Sequence, residues 1–240
     1  MFARAVAAFS HRVLQTSRRK SLSTHQYLSA AAIQYRSLKE ATPEEWKVGI
    51  QQFNKVASSS QQAIRMLDML RVQKGTNIGA LVDLYEHGLQ TATRAYRDGA
   101  NEETIVVALL HDVGELITPI SHGEIAGSIL RPYISQQNYW ILMHHEIFQA
   151  YYYGDAAGAT VDKNARDDFK DHEFYEECIK FCEKWDQAAF DPEYDTLPLE
   201  FFEPMVHRVL ARRPYTDPEL LNDPINVAKS KIAGGYPEAN

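Results

Sequence analysis

The chain has 240 residues, of which 45% are hydrophobic and 24% charged, and it carries a formal net charge of -7. That much apolar material can bury a sizeable core, and an acidic balance without an extended Lys/Arg cluster in the body excludes a nucleic-acid partner from the expected readings. No run approaches the roughly 18 uninterrupted apolar residues of a membrane span, so no membrane-spanning segment is expected.

In chain order, the first 39 residues contain no Asp or Glu but carry Arg4, Arg12, Arg18, Arg19, Lys20, Arg36 and Lys39 among many Ser and Ala. Phe2, Val6, Phe9 and Val13 recur at roughly helical spacing, which predicts a cationic amphipathic helix. The combination reads as an organelle presequence over residues 1–40, with a mitochondrial address and a cytoplasmic location otherwise. Setting those seven positive charges aside takes the remainder from -7 to -14.

From Ala41 the pattern is helical. Thr42 is placed to cap, Pro43 falls in the first turn, and Glu44 and Glu45 follow, which favours a helix start. "SSSQQAIRMLDMLRVQKG" sets Ile64, Leu67, Leu70 and Val72 near a 3.6-residue period before Gly75 ends it. Further helices are expected at about 79–98, 101–113, 122–131, 135–153, 171–189 and 198–212, and no alternating strand pattern appears. "GDAAGATVDKNARDDFKDHEF" begins as a polar loop, and the Pro- and Gly-rich stretch 216–240 reads as a peripheral tail. Cys178 and Cys182, four apart on an expected helix, suit neither a disulfide framework nor a CxxC zinc set and read as small core residues in a reducing compartment. The expectation is an all-α single domain over 41–215.

The histidines carry the chemistry. His87 lies in "LVDLYEHGLQTATRAY", His111 and Asp112 end the apolar run "VALLHDVGE", and His122 opens "ISHGEIAGSIL". His144 and His145 lie in "WILMHHEIFQAYYY", and Asp186 in "CIKFCEKWDQAAF". A buried, unpaired imidazole or carboxylate costs several kcal/mol, so one such residue is ordinarily a satisfied core group. A set spread over five helices points instead to coordination, because imidazoles ligate iron, manganese and zinc and a carboxylate can bridge two ions. Four His and two Asp suit a dinuclear centre with Asp112 as the bridge.

His87, the His111-Asp112 pair and Asp186 resemble the H...HD...D signature of the HD-domain superfamily, an all-helical fold of metal-dependent phosphohydrolases. With His122 and His145 the set resembles the six-ligand branch of mixed-valence di-iron oxygenases, which includes myo-inositol oxygenase and enzymes that cleave hydroxylated aminophosphonates. "EHGLQTATRAYRDGANEETIVVALLHDVG" is especially similar to the phosphonate-cleaving enzymes, and the resemblance covers residues 77–190. It implies that His87, His111, Asp112 and Asp186 hold one metal and Asp112, His122 and His145 the other. His145 is chosen over His144 because "EIFQAYY" follows it as in those enzymes; His144, about 100° round the helix, should then take a packing or hydrogen-bonding role.

Three positions depart from the family pattern. Where those relatives carry His, Lys and Arg, this chain has Glu115, Gln149 and Glu183, and their Tyr and Glu lid residues fall at Asn77 and Ala80. A phosphonate dianion would meet repulsion at such positions, so the substrate-binding set Glu115, Gln149 and Glu183 points to an amine or polyol, with Tyr151, Tyr152 or Tyr153 offering a ring face to an ammonium group. The expected function is a di-iron oxygenase with Fe2+/Fe3+ that cleaves a small hydroxylated substrate with O2. The alternative is a phosphohydrolase, a nucleotidase or phosphodiesterase using two metals or a single Mn2+, Co2+ or Mg2+. "HDxxE" resembles the deoxynucleotidase branch, where the glutamate assists a water, which makes Glu115 a catalytic candidate alongside Asp112.

Overall fold

The computed structural model describes residues 33–215 and 223–233. The presequence-like helix about Phe2 to Val13 lies outside the described residues, as does most of the tail beyond 215. Among the described residues the chain is helical with no strand, and no helix is long and apolar enough to cross a membrane.

Two compact units divide at Phe53 and Asn54. Helix α1 (Pro43–Ala57) begins in the first, from a capping box: Thr42 Oγ1 accepts the Glu45 N–H at 3.2 Å and Glu45 Oε2 accepts the Thr42 N–H at 3.0 Å. The same carboxylate accepts the N–H groups of Gln34 and Tyr35, which ties the entering strand of chain to the cap.

The second unit holds α2 (Ser59–Val72), α3 (Leu84–Arg97), α4 (Glu102–Leu110), α5 (His122–Leu130), α6 (Gln136–Ala157), α7 (Tyr175–Phe181), α8 (Leu199–Leu210) and α9 (Pro224–Ala233). At its centre lies α4, where every residue from Thr104 to Leu110 is buried, as the uninterrupted apolar run demands. On α2 the buried face is Ala63, Met66, Leu67 and Leu70, whereas Ile64 and Val72 are exposed. The face follows i, i+3, i+4, i+7 from Ala63, and the two branched residues fall off it. Cys178 and Cys182 are buried free thiols in the core.

Several helix bounds differ from the sequence expectation, and the helix expected to end at 153 runs on to Ala157. The helix expected from 79 begins at Leu84, because the Asp83 carboxylate accepts the N–H of Glu86 at 2.8 Å as its N-cap. Upstream, the Asn77 side chain accepts the N–H groups of Gly79 and Ala80 and closes a loop in which Gly79 has φ of 102°. The helix expected over 101–113 stops at Leu110 and gives way to turns, and the helix expected from 171 begins at Tyr175 and widens into a π turn over Cys182–Asp186. Beyond the described gap, α9 adds a helix where only an irregular tail was expected; Asp223 pairs with Arg131, and Asn226 is buried.

Two glycines let the helices approach. A Cβ on Gly88 would sit 2.9 Å from the carbonyl oxygen of Leu109, so α3 and α4 touch backbone to backbone there. A Cβ on Gly123 would collide with the Leu142 carbonyl and press on His145, so α5 lies equally close to α6. Gly123→Ala should therefore cost about 1–3 kcal/mol, read as a Tm several degrees lower in a thermal melt; an unchanged Tm would show that this contact does not set the helix spacing.

Candidate metal centre

The two close helix contacts carry the site. Each glycine follows a histidine, so the α3–α4 contact at Gly88 brings His87 against His111, and the α5–α6 contact at Gly123 brings His122 against His145. The apolar run of α4 delivers His111 and Asp112 at its C-terminal end, inside the core, and Gln73 at the end of α2 donates from its side chain to the Asp112 carbonyl. Asp186 arrives on the π turn. Gln90 on α3 exchanges hydrogen bonds with the backbone of Asp191, which holds the segment after that turn against α3.

The ligand atoms fall into two groups that share one carboxylate. Around Asp112 Oδ2 stand His87 Nε2 and His111 Nε2, each at 3.3 Å; the two nitrogens are 3.2 Å apart, and Asp186 Oδ1 lies 3.2 Å from the first and 3.5 Å from the second. Around Asp112 Oδ1 stand His122 Nε2 at 3.1 Å and His145 Nε2 at 3.3 Å, with 3.1 Å between the nitrogens. Ligands about 2.1 Å from a common ion lie about 3.0–3.4 Å from one another, so each group has the spacing of a coordination shell.

Tautomers strengthen the fit. The Nδ1–H groups of His87, His111, His122 and His145 donate to the carbonyls of Ala189, Ala108, Pro119 and Leu142 at 3.0, 2.9, 2.9 and 2.8 Å. A carbonyl only accepts, so each ring keeps its proton on Nδ1 and turns the Nε2 lone pair inward. Lone pairs facing each other and two carboxylates repel unless a cation stands among them. Asp186 Oδ2 is buried with no hydrogen-bond partner in the protein, a further acceptor waiting for positive charge. His87, His111 and Asp112 form one group that could hold a metal ion and Asp112, His122 and His145 another, with Asp186 beside the first two imidazoles.

The electrostatics agree. Burial by itself would lower the His87 pKa, but Asp112 and Asp186 outweigh it and raise the value to about 9. For His122 burial acts in the same direction and Asp112 again wins, to about 9. His111 is also raised well above the ordinary imidazole value against its burial, by the same two carboxylates. Burial would raise Asp112 and Asp186, yet both stay below the carboxylate range, chiefly because His111 faces them. Without metal, the cluster draws in protons as its substitute cations.

A cavity of about 570 Å³ opens over both groups, reaching His87 and Asp186 as well as His122 and His145, and is lined also by Glu115, Glu146, Gln149, Tyr152 and Phe190. Glu115 Oε1 lies 3.2 Å from His122 Nδ1, and burial raises the pKa of its carboxyl. Gln149 lines the cavity, with a buried Oε1 that has no protein partner. Glu183 does not join them: it is exposed and absent from the lining. Residues three apart share a face of an α-helix, but the wider π turn between Glu183 and Asp186 rotates residue 183 to solvent as Asp186 turns inward.

His144 hydrogen-bonds the Trp140 carbonyl and stacks on the Trp140 ring, with centroids 4.0 Å apart, away from the donors. Of the three tyrosines, Tyr152 and Tyr153 line the cavity, whereas the Tyr151 ring is covered by Arg166 at 3.4 Å. Asn77 serves its own loop, and Ile78 beside it reaches the cavity. Two contributors escaped the sequence reading. Glu146 Oε1 accepts the Gly123 N–H at 2.6 Å and lies 3.4 Å from His122 Nδ1, and Phe190 stacks on His87 with centroids 4.4 Å apart. Glu146 follows His145 directly and could have been flagged; nothing local marked Phe190.

Asp112→Ala should reduce bound metal to near zero by elemental analysis, because both groups lose an oxygen at once, while His144→Ala should retain it. Full metal content in Asp112→Ala would remove the bridge. The pH dependence has a definite sign. In metal-stripped protein the raised imidazoles stabilise fully below about pH 6.5 and lose that contribution as pH climbs through about 9, whereas the lowered aspartates stabilise above about pH 4 and lose theirs in acid. The Tm of stripped protein should fall between about pH 7 and 9, while added metal stabilises more strongly over the same interval as protons leave Nε2; melts of stripped and reloaded samples test both, and a stripped protein that gains stability with pH would contradict the assignment. No family model matches this sequence and no curated protein matches it, so the metal centre stands on its donor geometry.

Proposed function

We propose that the chain is a metal-dependent enzyme of the HD type, a di-iron oxygenase that uses O2 to cleave a small hydroxylated substrate of the amine or polyol class. The observation that carries this reading is the pair of donor groups sharing Asp112, one carboxylate oxygen to each. His87, His111, Asp112 and Asp186 would hold one iron, and Asp112, His122 and His145 the other. Bound there, an Fe2+/Fe3+ pair would supply O2 activation and the oxidation that breaks a carbon-carbon bond.

The protein's own part is holding and orienting. The four Nδ1–H bonds to carbonyls lock the imidazoles, and the cavity brings Glu115, Glu146 and Gln149 up to the donors. Substrate class follows from charge. The cavity lining includes the carboxylates of Glu115 and Glu146 and no Lys or Arg. A hydroxylated amine gains attraction there, and Gln149 offers an amide to a hydroxyl; a phosphoryl dianion finds no side-chain cation. The acid-free, basic first 39 residues support a mitochondrial address.

One observation favours a second reading. Glu115 is half-buried at the cavity, its carboxyl made a weaker acid by burial, the condition of a general base for water in an HD phosphohydrolase with Mn2+, Co2+ or Mg2+. Elemental analysis with low-temperature EPR on anaerobically purified protein should find two irons and a mixed-valence signal after brief air exposure. One Mn, Co or Mg with turnover of p-nitrophenyl phosphate or nucleotides would replace the oxygenase by the hydrolase. Glu115→Gln divides them again: hydrolysis should drop about 100-fold or more, whereas an oxygenase should change mainly KM and substrate preference.

A further inference from the structure

The mouth of the cavity differs in kind from its floor. Ile120 is 89% exposed and Leu81 80%, and Ile78, Leu116, Ile117 and Tyr153 are exposed with them. Scattered exposed apolar residues are ordinary, but five of these fall on two short segments, 78–81 and 116–120, that each reach the cavity, through Ile78 and Pro119. Ile78 and Tyr153 themselves line the cavity, as does Pro119, next to Ile120. Both segments are held in shape. The Asn77 side chain ties Gly79, Ala80 and Val82, and in the other segment the Ile117 and Thr118 N–H groups donate to the Gly114 carbonyl while Thr118 and Ser121 bond side chain to side chain. The apolar groups are therefore presented by built loops.

Polarity runs from one end of the cavity to the other. Inside stand the donor cluster, Glu115, Glu146 and Gln149; outside stands an aliphatic collar. We propose that the substrate is an amphiphile, whose hydroxylated amine head reaches the donor cluster while an aliphatic chain lies across the collar of Ile78, Leu81, Ile117 and Ile120. The choice of occupant rests on the functional reading above and on continuity, since the collar passes into the cavity wall through Ile78, Pro119 and Tyr153. Residues 40–240, which include the collar, carry a net charge of -14, so an anionic membrane would repel this part of the chain rather than account for the collar.

Calorimetric titration of the metal-loaded full chain with ethanolamine, 2-amino-1-butanol, 2-amino-1-hexanol and 2-amino-1-octanol tests the proposal. Affinity should tighten about twofold to fourfold per methylene, the upper figure being full burial. Ile120→Asp and Leu81→Asp, at exposed positions where folding tolerates a charge, should flatten the series and leave ethanolamine affinity and metal content unchanged. A flat wild-type series, no binding by any member, or variants that keep the slope would overturn it. So would a flat series accompanied by a dimer in sedimentation velocity that Ile120→Asp dissociates, which gives the collar to a second copy, or by Ile120-dependent binding to phosphatidylcholine vesicles, which gives it to a lipid surface. Metal content, read in parallel, separates the two levels: a steep series on a protein that takes up no metal rejects the enzyme and keeps the collar, and a metal-loaded protein with a flat series does the reverse.

Discussion

Repulsion among inward-facing donors is the constraint on which the rest depends. Four imidazoles have their protons pinned outward on Nδ1 by backbone carbonyls, so four lone pairs and two carboxylates converge in the core. Such an arrangement costs free energy unless positive charge occupies it. The raised imidazoles and lowered aspartates describe the protonated answer, and coordination describes the other. A cation bound in such a core would stabilise it beyond the packing around it.

Geometry enters through helix spacing. Both donor groups are built by the same device, a histidine followed by a glycine that lets its helix lie against the backbone of the helix bearing the partner histidine. Side chains at Gly88 or Gly123 would spread the helices and open the Nε2 pairs. Polar clamps hold the remaining parts: Gln73 on the Asp112 carbonyl, Gln90 on the backbone of Asp191, and the π turn that sets Asp186 inward. Asp112 then joins the two halves, because each of its oxygens faces one pair of nitrogens.

The halves differ in surroundings. In the group of His87, His111 and Asp186, His111 is fully buried near Phe181, whereas His87, with Phe190 stacked on it, and Asp186 reach the cavity. The group of His122 and His145 faces the cavity, where Glu115 and Glu146 both approach His122 Nδ1. A carboxylate beside the outer nitrogen of an imidazole raises the basicity of its inner one, so His122 is the imidazole tuned by acidic side chains.

By itself the sequence determined the helical class, through unbroken 3.6-residue patterning, and it carried the donor set, since a histidine or aspartate inside an apolar stretch such as "VVALLHDVG" is legible as a buried polar group in need of a partner. The histidine-glycine pairs at 87–88 and 122–123 were legible too, though their meaning required knowing which helix each glycine meets. Tertiary structure alone decided the rest. Whether Glu183 or Glu146 stands at the cavity turned on a π turn in one case and on the short approach of α5 to α6 in the other. His144 and His145, adjacent in the chain, were separated by the packing of Trp140, and Phe190 reached His87 across a segment of no regular structure. Local patterning reports which face of an element avoids water, but the direction of one side chain at a helix end depends on contacts between residues far apart in sequence, and those form only when the helices come together.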